Sequence, residues 1–248
     1  MTDMEAMNLR YSRRSYLDKP IQAAALEHLM AAITKYNEIS GLHIQLIEDG
    51  RASFKGLLKS YGMFSGVRSF FALVGRTGDV HLKEKAGYYG ELLVLEATKL
   101  GLGTCWVGGT YDRKHCPCTV QEKESLVCVI TVGYSQEKQD FREKLIYKAT
   151  HRKAKPLEEF YTSDSQVPDW FLSGMEAVKN APSAVNAHPV HGEYRSGKVT
   201  LFIKDPRQYR LIDLGIAKLH FELGAKACIT DPMTGSFPPG NPAVFKAV

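Results

Sequence analysis

The stretch NAPSAVNAHPV, Asn180–Val190, decides how this chain is read. It follows the helical pattern WFLSGMEAVK at 170–179. Pro182 stops such a helix, and the small residues with Asn186 favour a turn that presents backbone N–H groups and a side-chain amide. Taken alone it is a turn. Its distance along the chain from the basic segment RYSRRSYLDKP at 10–20 asks for an explanation.

A chain of 248 residues, 44% of them hydrophobic, can bury a sizeable core as one large domain or two small ones. The net charge of +5 comes from basic residues that are spread out, so nucleic acid is not an expected partner, although a local anion fits. The apolar runs SFFALVG (69–75) and LVCVITVGY (126–134) are too short to cross a bilayer. The opening MTDMEAMNLR carries no apolar core, so no secretory signal and no membrane association are expected. Five cysteines without a C-x-x-C pair indicate reduced thiols and a cytoplasmic location. HCPC at 115–118 offers at most three metal ligands where a structural zinc site takes four, so no metal is expected.

Leu26, Leu29, Met30 and Ile33 recur at helical spacing after Pro20, and GLHIQLIEDG (41–50) alternates as a strand. FFALVG (70–75) predicts a buried strand. GYYGELLVLEATKLGLG (87–103) predicts a glycine-capped helix with Tyr89, Leu93, Ala97 and Leu100 on one face, and SLVCVITVGY (125–134) a further strand. EEFYTSDSQVPDW (158–170) reads as a linker. After it the order restarts with helix 170–182, strand 197–206 and helix 209–226, the last carrying Ile212, Ile216, Leu219 and Leu223 along one stripe. Helix, strand and helix in both halves suggest an internal duplication with a shortened second copy.

Three pieces suggest chemistry. RYSRRSY (10–16) brings Arg10, Ser12, Arg13, Arg14 and Ser15 together ahead of a helix, which suits a phosphate, although a solvated basic segment is the simpler reading. KATHRKAKPLEEF (148–160) adds Arg152, Lys153 and Lys155. KLGLGTCWVGGTY (99–111) has four glycines but neither a G-x-G-x-x-G nor a P-loop lysine, and by itself reads as a helix cap and loop.

In this order, RRSY, GLGTCWVGG, VCVITVGY and HRKAKPLEEF resemble the FMN-dependent nitroreductase family, and APSAVNAHP resembles that family's A-P-S-x-x-N-x-Q-P stretch. Family members are homodimers with flavin at the subunit interface, and carry that stretch after their first helices, where this chain has AITKYNEISGLHIQL (32–46). The chain therefore resembles the fused pseudo-dimers of the Thermotoga type. The resemblance implies an α+β, nitroreductase-like fold with an antiparallel or mixed sheet flanked by helices and an internal tandem duplication. Residues 1–160 form the first half and 161–248 the shortened second, packed as one globular unit that holds one flavin and needs no partner copy.

The resemblance further implies that Arg13, Arg14 and Ser15 contact the FMN phosphate and ribityl chain, with Arg152 and Lys153, or Lys155, as a second basic pair. Pro182, Ser183 and Asn186 would flank the isoalloxazine, and Val107, Gly108 and Gly109 would bring a backbone N–H near flavin N5. Leu17, His188 and Val190 depart from the family pattern. The implied activity is reduction of a small electron-poor acceptor, such as a nitroaromatic or quinone, with NAD(P)H by a ping-pong mechanism. No catalytic side chain is implied, and Cys105 reads as a packed residue. The alternative is a flavin-binding or flavin-sensing protein without turnover.

Overall fold

The computed structural model describes residues 1–55, 63–136, 143–144, 155–204 and 210–228. Its contacts divide the chain into two compact units, Met1–Leu82 with Leu92–His151, and Lys83–Glu91 with Arg152–Val248.

In the first unit, helix α1 (Asp3–Leu9) starts at a reciprocal cap between Thr2 and Glu5. Helix α2 (Ala23–Ser40) buries Leu29 and Ile33 and ends at Gly41, whose φ of 70° suits a residue without Cβ. Met30, expected on the same stripe, is instead exposed. A short helix, α3 (Arg51–Phe54), follows strand β1 (Gln45–Ile47). The sheet runs β1 (Gln45–Ile47), β2 (Ser69–Arg76), β4 (Glu124–Gly133), β3 (Gly103–Val107), with every neighbouring pair antiparallel. β2 is buried from Ser69 to Gly75, which explains its unbroken apolar sequence. Strand β3 corrects the expectation of a loop after the helix: Gly103–Val107 pairs with Gly133–Val129, and that ladder outweighs the low strand propensity of its glycine.

Helix α4 (Leu82–Lys99) contributes Lys83–Glu91 to the second unit and its later residues to the first. Gly101, at φ 73°, follows its C-terminus.

The second unit has a three-stranded sheet in which β5 (Tyr161–Ser163) lies parallel to β6 (Val190–Arg195), and β6 forms a hairpin with β7 (Lys198–Ile203). Ser196 and Gly197 both take positive φ in the hairpin turn, whose twist matches paired strands. Part of the expected linker is thus strand β5, and β6 is a strand that alternation alone did not mark. Helices α5 (Asp169–Asn180) and α6 (Arg210–Ala227) close the core around Phe171, Met175, Val199 and Phe221.

Helix α6 is buried on nearly every side rather than along one stripe. Its Lys218 pairs with Glu84, His220 Nε2 lies 2.9 Å from Glu91 Oε1, and Glu222 accepts a hydrogen bond from Tyr88 at 2.8 Å. The first part of α4 is its partner. A Cβ added at Gly87 would lie 2.1 Å from the Ile212 oxygen and 3.1 Å from the Ile216 nitrogen. One added at Gly215 would lie 2.0 Å from the Glu84 oxygen and 2.8 Å from the Tyr88 nitrogen. Gly87 answers to Gly215, Glu84 to Ile212 and Tyr88 to Ile216 at one constant offset, in helices that are each 18 residues long. The crossing has the approximate two-fold symmetry that two copies of one helix make, and glycine is required at its centre because the backbones touch.

Candidate functional site

The basic N-terminal segment is pinned within the first unit by isolated β-bridges at Ser12, Ser15 and Tyr16. Arg13 N–H donates to Thr104 O at 2.8 Å, Tyr16 N–H to Ser65 O at 3.0 Å, and Leu17 N–H to Tyr134 O at 2.8 Å. Tyr16 Oη lies 2.7 Å from Thr131 Oγ1, and burial pushes this phenol well above its usual range.

Arg13 is 6% exposed. Its Nε donates to Glu143 Oε1 at 3.2 Å and its Nη2 to the Gln136 carbonyl, while its stem covers Gly103, where an added Cβ would lie 2.7 Å from Arg13 Cγ. The same Glu143 oxygen accepts the N–H groups of Arg14 at 2.6 Å and Ser15 at 3.2 Å. Consecutive amides with a cation beside them make an anion nest, and here a buried carboxylate occupies it.

Arg14 is half-buried, and its Nε is buried with no hydrogen-bond partner among the described residues. Ser15 Oγ accepts from Ser65 Oγ at 3.2 Å. A cavity of about 170 Å³ beside this segment is lined by Arg10, Tyr11, Arg13, Gly103, Thr104 and Ser135, among others. Val107 is buried in the core, whereas Gly108 is half-buried and Gly109 exposed. Any contact from Val107 to a ligand therefore comes from its backbone. Arg152 and Lys153 lie outside the described residues, and Lys155 is exposed, 3.7 Å from Glu159.

In the second unit, α5 ends just before Pro182, and a single 3₁₀ turn follows over Ala184–Asn186. Asn186 N–H donates to Ser183 O at 3.0 Å and His188 N–H to Ser183 Oγ at 2.9 Å. Val185, Asn186 and His188 all take positive φ, at 49°, 53° and 45°. For the β-branched Val185, which is 71% exposed, this backbone is strained with no burial of the side chain to offset it. Strain of this kind gathers at ligand-binding segments.

The turn is held from below. Asp213, 5% exposed near the start of α6, accepts Ala184 N–H at Oδ1 over 3.0 Å. Its Oδ2 is buried without a hydrogen-bond partner among the described residues. Burial pushes the Asp213 carboxyl up to about 7, against the lowering effect of the Ala184 hydrogen bond and of Arg210. Pro182, Ser183, His188 and Asp213 line a cavity of about 10 Å³, room for about one water.

Sequence reading named Arg13, Arg14, Ser15, Pro182, Ser183 and Asn186 but missed Glu143 and Asp213. Glu143 stands in the charged run FREK, and nothing there distinguishes it. Asp213 carried a signal, an acid inside the apolar RLIDLGI, which an amphipathic surface helix would not place toward its core.

Among the described residues no helix is long and apolar enough to cross a membrane. No curated protein matches this chain. Among solved structures, a Thermotoga maritima MSB8 protein described as "a putative nitroreductase" is 20% identical, with 97% of this chain and 91% of that one covered at a TM-score of 0.62, which shows a shared fold. A Clostridium difficile R20291 protein described as an FMN-dependent nitroreductase is 20% identical over 60% of this chain and 98% of its own, at a TM-score of 0.45. A Bacteroides fragilis NCTC 9343 nitroreductase with bound FMN is 16% identical over 57% and 92%, at 0.44. The family described as "Putative TM nitroreductase" matches residues 3–225, nearly the whole chain, and the protein belongs to that nitroreductase family.

Proposed function

We propose that the protein is an FMN-dependent oxidoreductase that takes reducing equivalents from NAD(P)H and passes them to a small electron-poor acceptor, a nitroaromatic or quinone. Family membership supports a flavin oxidoreductase, and one observation in this chain carries the cofactor: the buried Arg14 Nε without a partner among the described residues, beside Ser15. A phosphate oxygen supplies what that nitrogen lacks. Arg13 is already committed to Glu143 and Gln136, so its role is to hold the segment, and Arg14 replaces it as the principal phosphate ligand.

When bound, FMN supplies two-electron hydride chemistry. Arg14 and Ser15 orient its phosphate end. Gly108 and Gly109 offer backbone N–H groups without side-chain bulk, and the turn at Pro182, Ser183 and Asn186 limits how a flat ring is presented. Donor and acceptor use one opening in turn, which gives ping-pong kinetics. The tandem duplication lets one chain work without a second copy, and residues 1–160 and 161–248 remain the proposed halves.

The test is an FMN titration followed by ultraviolet-visible spectroscopy, then NAD(P)H oxidation with a quinone or nitroaromatic acceptor. Wild type is expected to bind FMN, and Arg14→Ala to bind it weaker by about 1.5–3 kcal/mol, the worth of a hydrogen bond to a charged group. Absence of FMN binding by wild type would overturn the proposal. Binding without NAD(P)H oxidation would favour a flavin sensor.

A further inference from the structure

We propose that Cys116 and Cys118 form a redox-active dithiol, a modification site that two-electron oxidants close to an intrachain disulfide and that trivalent arsenicals bridge. The two Sγ atoms lie 3.4 Å apart, and both residues are half-buried, reachable from solvent yet packed at the edge of the core beside Tyr111 and Leu126. Disulfide sulfurs sit about 2 Å apart, so the two thiols already stand near bonding distance.

The surrounding chain holds the pair in place. Ser53 Oγ donates to the His115 carbonyl at 3.1 Å just before the pair, and Gln45 both accepts from Thr119 N–H at 2.8 Å and donates to Thr119 O at 2.7 Å just after it. Pro117 fixes φ between them. Cys105 and Cys128 are free but fully buried in the core, and Cys228 is an exposed cysteine of the other unit. Among the described residues no group of three or more His, Cys, Asp or Glu gathers as a metal site, so the two sulfurs are the ligands available. A bridge across one intervening residue constrains the unfolded chain very little, which separates this pair from a stabilising disulfide.

Burial and the neighbouring sulfur push the Cys118 thiol up to about 12. With a hydroperoxide as oxidant, the Cys116 thiolate attacks the terminal oxygen, the O–O bond breaks, and Cys116 becomes a sulfenic acid while an alkoxide or hydroxide leaves and takes a proton. Cys118 then attacks the Cys116 sulfur. The S–S bond forms, the S–OH bond breaks, and water leaves with the Cys118 proton. Two electrons pass from the dithiol to the peroxide.

The experiment exposes the full chain to hydrogen peroxide and, separately, to phenylarsine oxide, with Cys228→Ser as background to remove the exposed single thiol. Peptide mass analysis is expected to show loss of two hydrogens from the tryptic peptide 115–123, restored by dithiothreitol. One phenylarsine oxide per chain is expected, lost in both Cys116→Ser and Cys118→Ser. Separate sulfinic acids on either cysteine without a bridge, or arsenical binding that survives either single substitution, would overturn the proposal. The mass result on the otherwise intact chain decides it even if a substituted chain folds poorly, and it does not depend on flavin binding.

Discussion

Two buried carboxylates anchor two of the stretches in which this chain resembles the nitroreductase family, and they do so under different electrostatic conditions. Glu143 collects the N–H groups of Arg14 and Ser15 and also receives Arg13 Nε, so its charge has a cation in hydrogen-bond contact. Asp213 collects only Ala184 N–H, leaves Oδ2 without a hydrogen-bond partner among the described residues, and is pushed to about 7. The backbones differ in parallel. The segment held by Glu143 is extended and bridged to strands, whereas the turn held by Asp213 contains three non-glycine residues at positive φ. A buried carboxylate paired with arginine gives a fixed support. One held by a single amide remains a group that titrates near neutrality.

The largest effect is expected at the paired anchor. Glu143→Ala leaves Arg13 buried without its carboxylate and is expected to cost about 3–5 kcal/mol in urea unfolding. The double variant Arg13→Met/Glu143→Leu is expected to recover most of that loss, because two apolar residues need no partner. Failure of the double variant to recover would show that the amide contacts, not the ion pair, hold the segment.

At the second anchor the effect depends on pH. The folded pKa of Asp213 lies above the 3.8 of the free side chain, so the folded protein binds this proton more tightly. Its contribution is therefore present below about pH 4, declines as pH rises toward 7, and is flat above, at no more than roughly 1.4 kcal/mol per pH unit. Asp213→Asn keeps an acceptor for Ala184 N–H while removing the charge. It is expected to flatten this part of the profile and raise stability at pH 8 by about 2 kcal/mol in chemical unfolding. A variant no more stable than wild type at pH 8 would mean that Oδ2 is satisfied when ionised.

The smallest effect is expected in the strained turn. Val185→Gly relieves the positive φ without loss of packing, since the side chain is 71% exposed, and is expected to raise stability by about 0.5–1 kcal/mol in thermal melts. A decrease would show that the exposed valine contributes more than its backbone strain costs.

Much of the fold was legible because local patterns and tertiary burial agree there. The unbroken SFFALVG became β2, the strand expected over 197–206 became β7, and the glycine-capped helix expected over 87–103 became α4. The misses share one cause. Gly103–Val107 and Val190–Arg195 are strands because neighbouring strands supply their hydrogen bonds, and a short segment carries little signal of a partner distant in sequence.

The sequence by itself determined helices α2, α4, α5 and α6, strands β2, β4 and β7, the basic segment, the turn after Pro182 and the family to which these motifs point. It could do so because helix periodicity, glycine and proline chemistry and short motifs are local properties. Tertiary structure alone decided that Arg13 serves Glu143, that Gly103 makes room for the Arg13 stem, that Asp213 supports the turn, and that Gly87 and Gly215 meet at a symmetric crossing. Each of these depends on atoms brought together from distant parts of the chain, where burial turns an ordinary charge or a missing Cβ into a constraint.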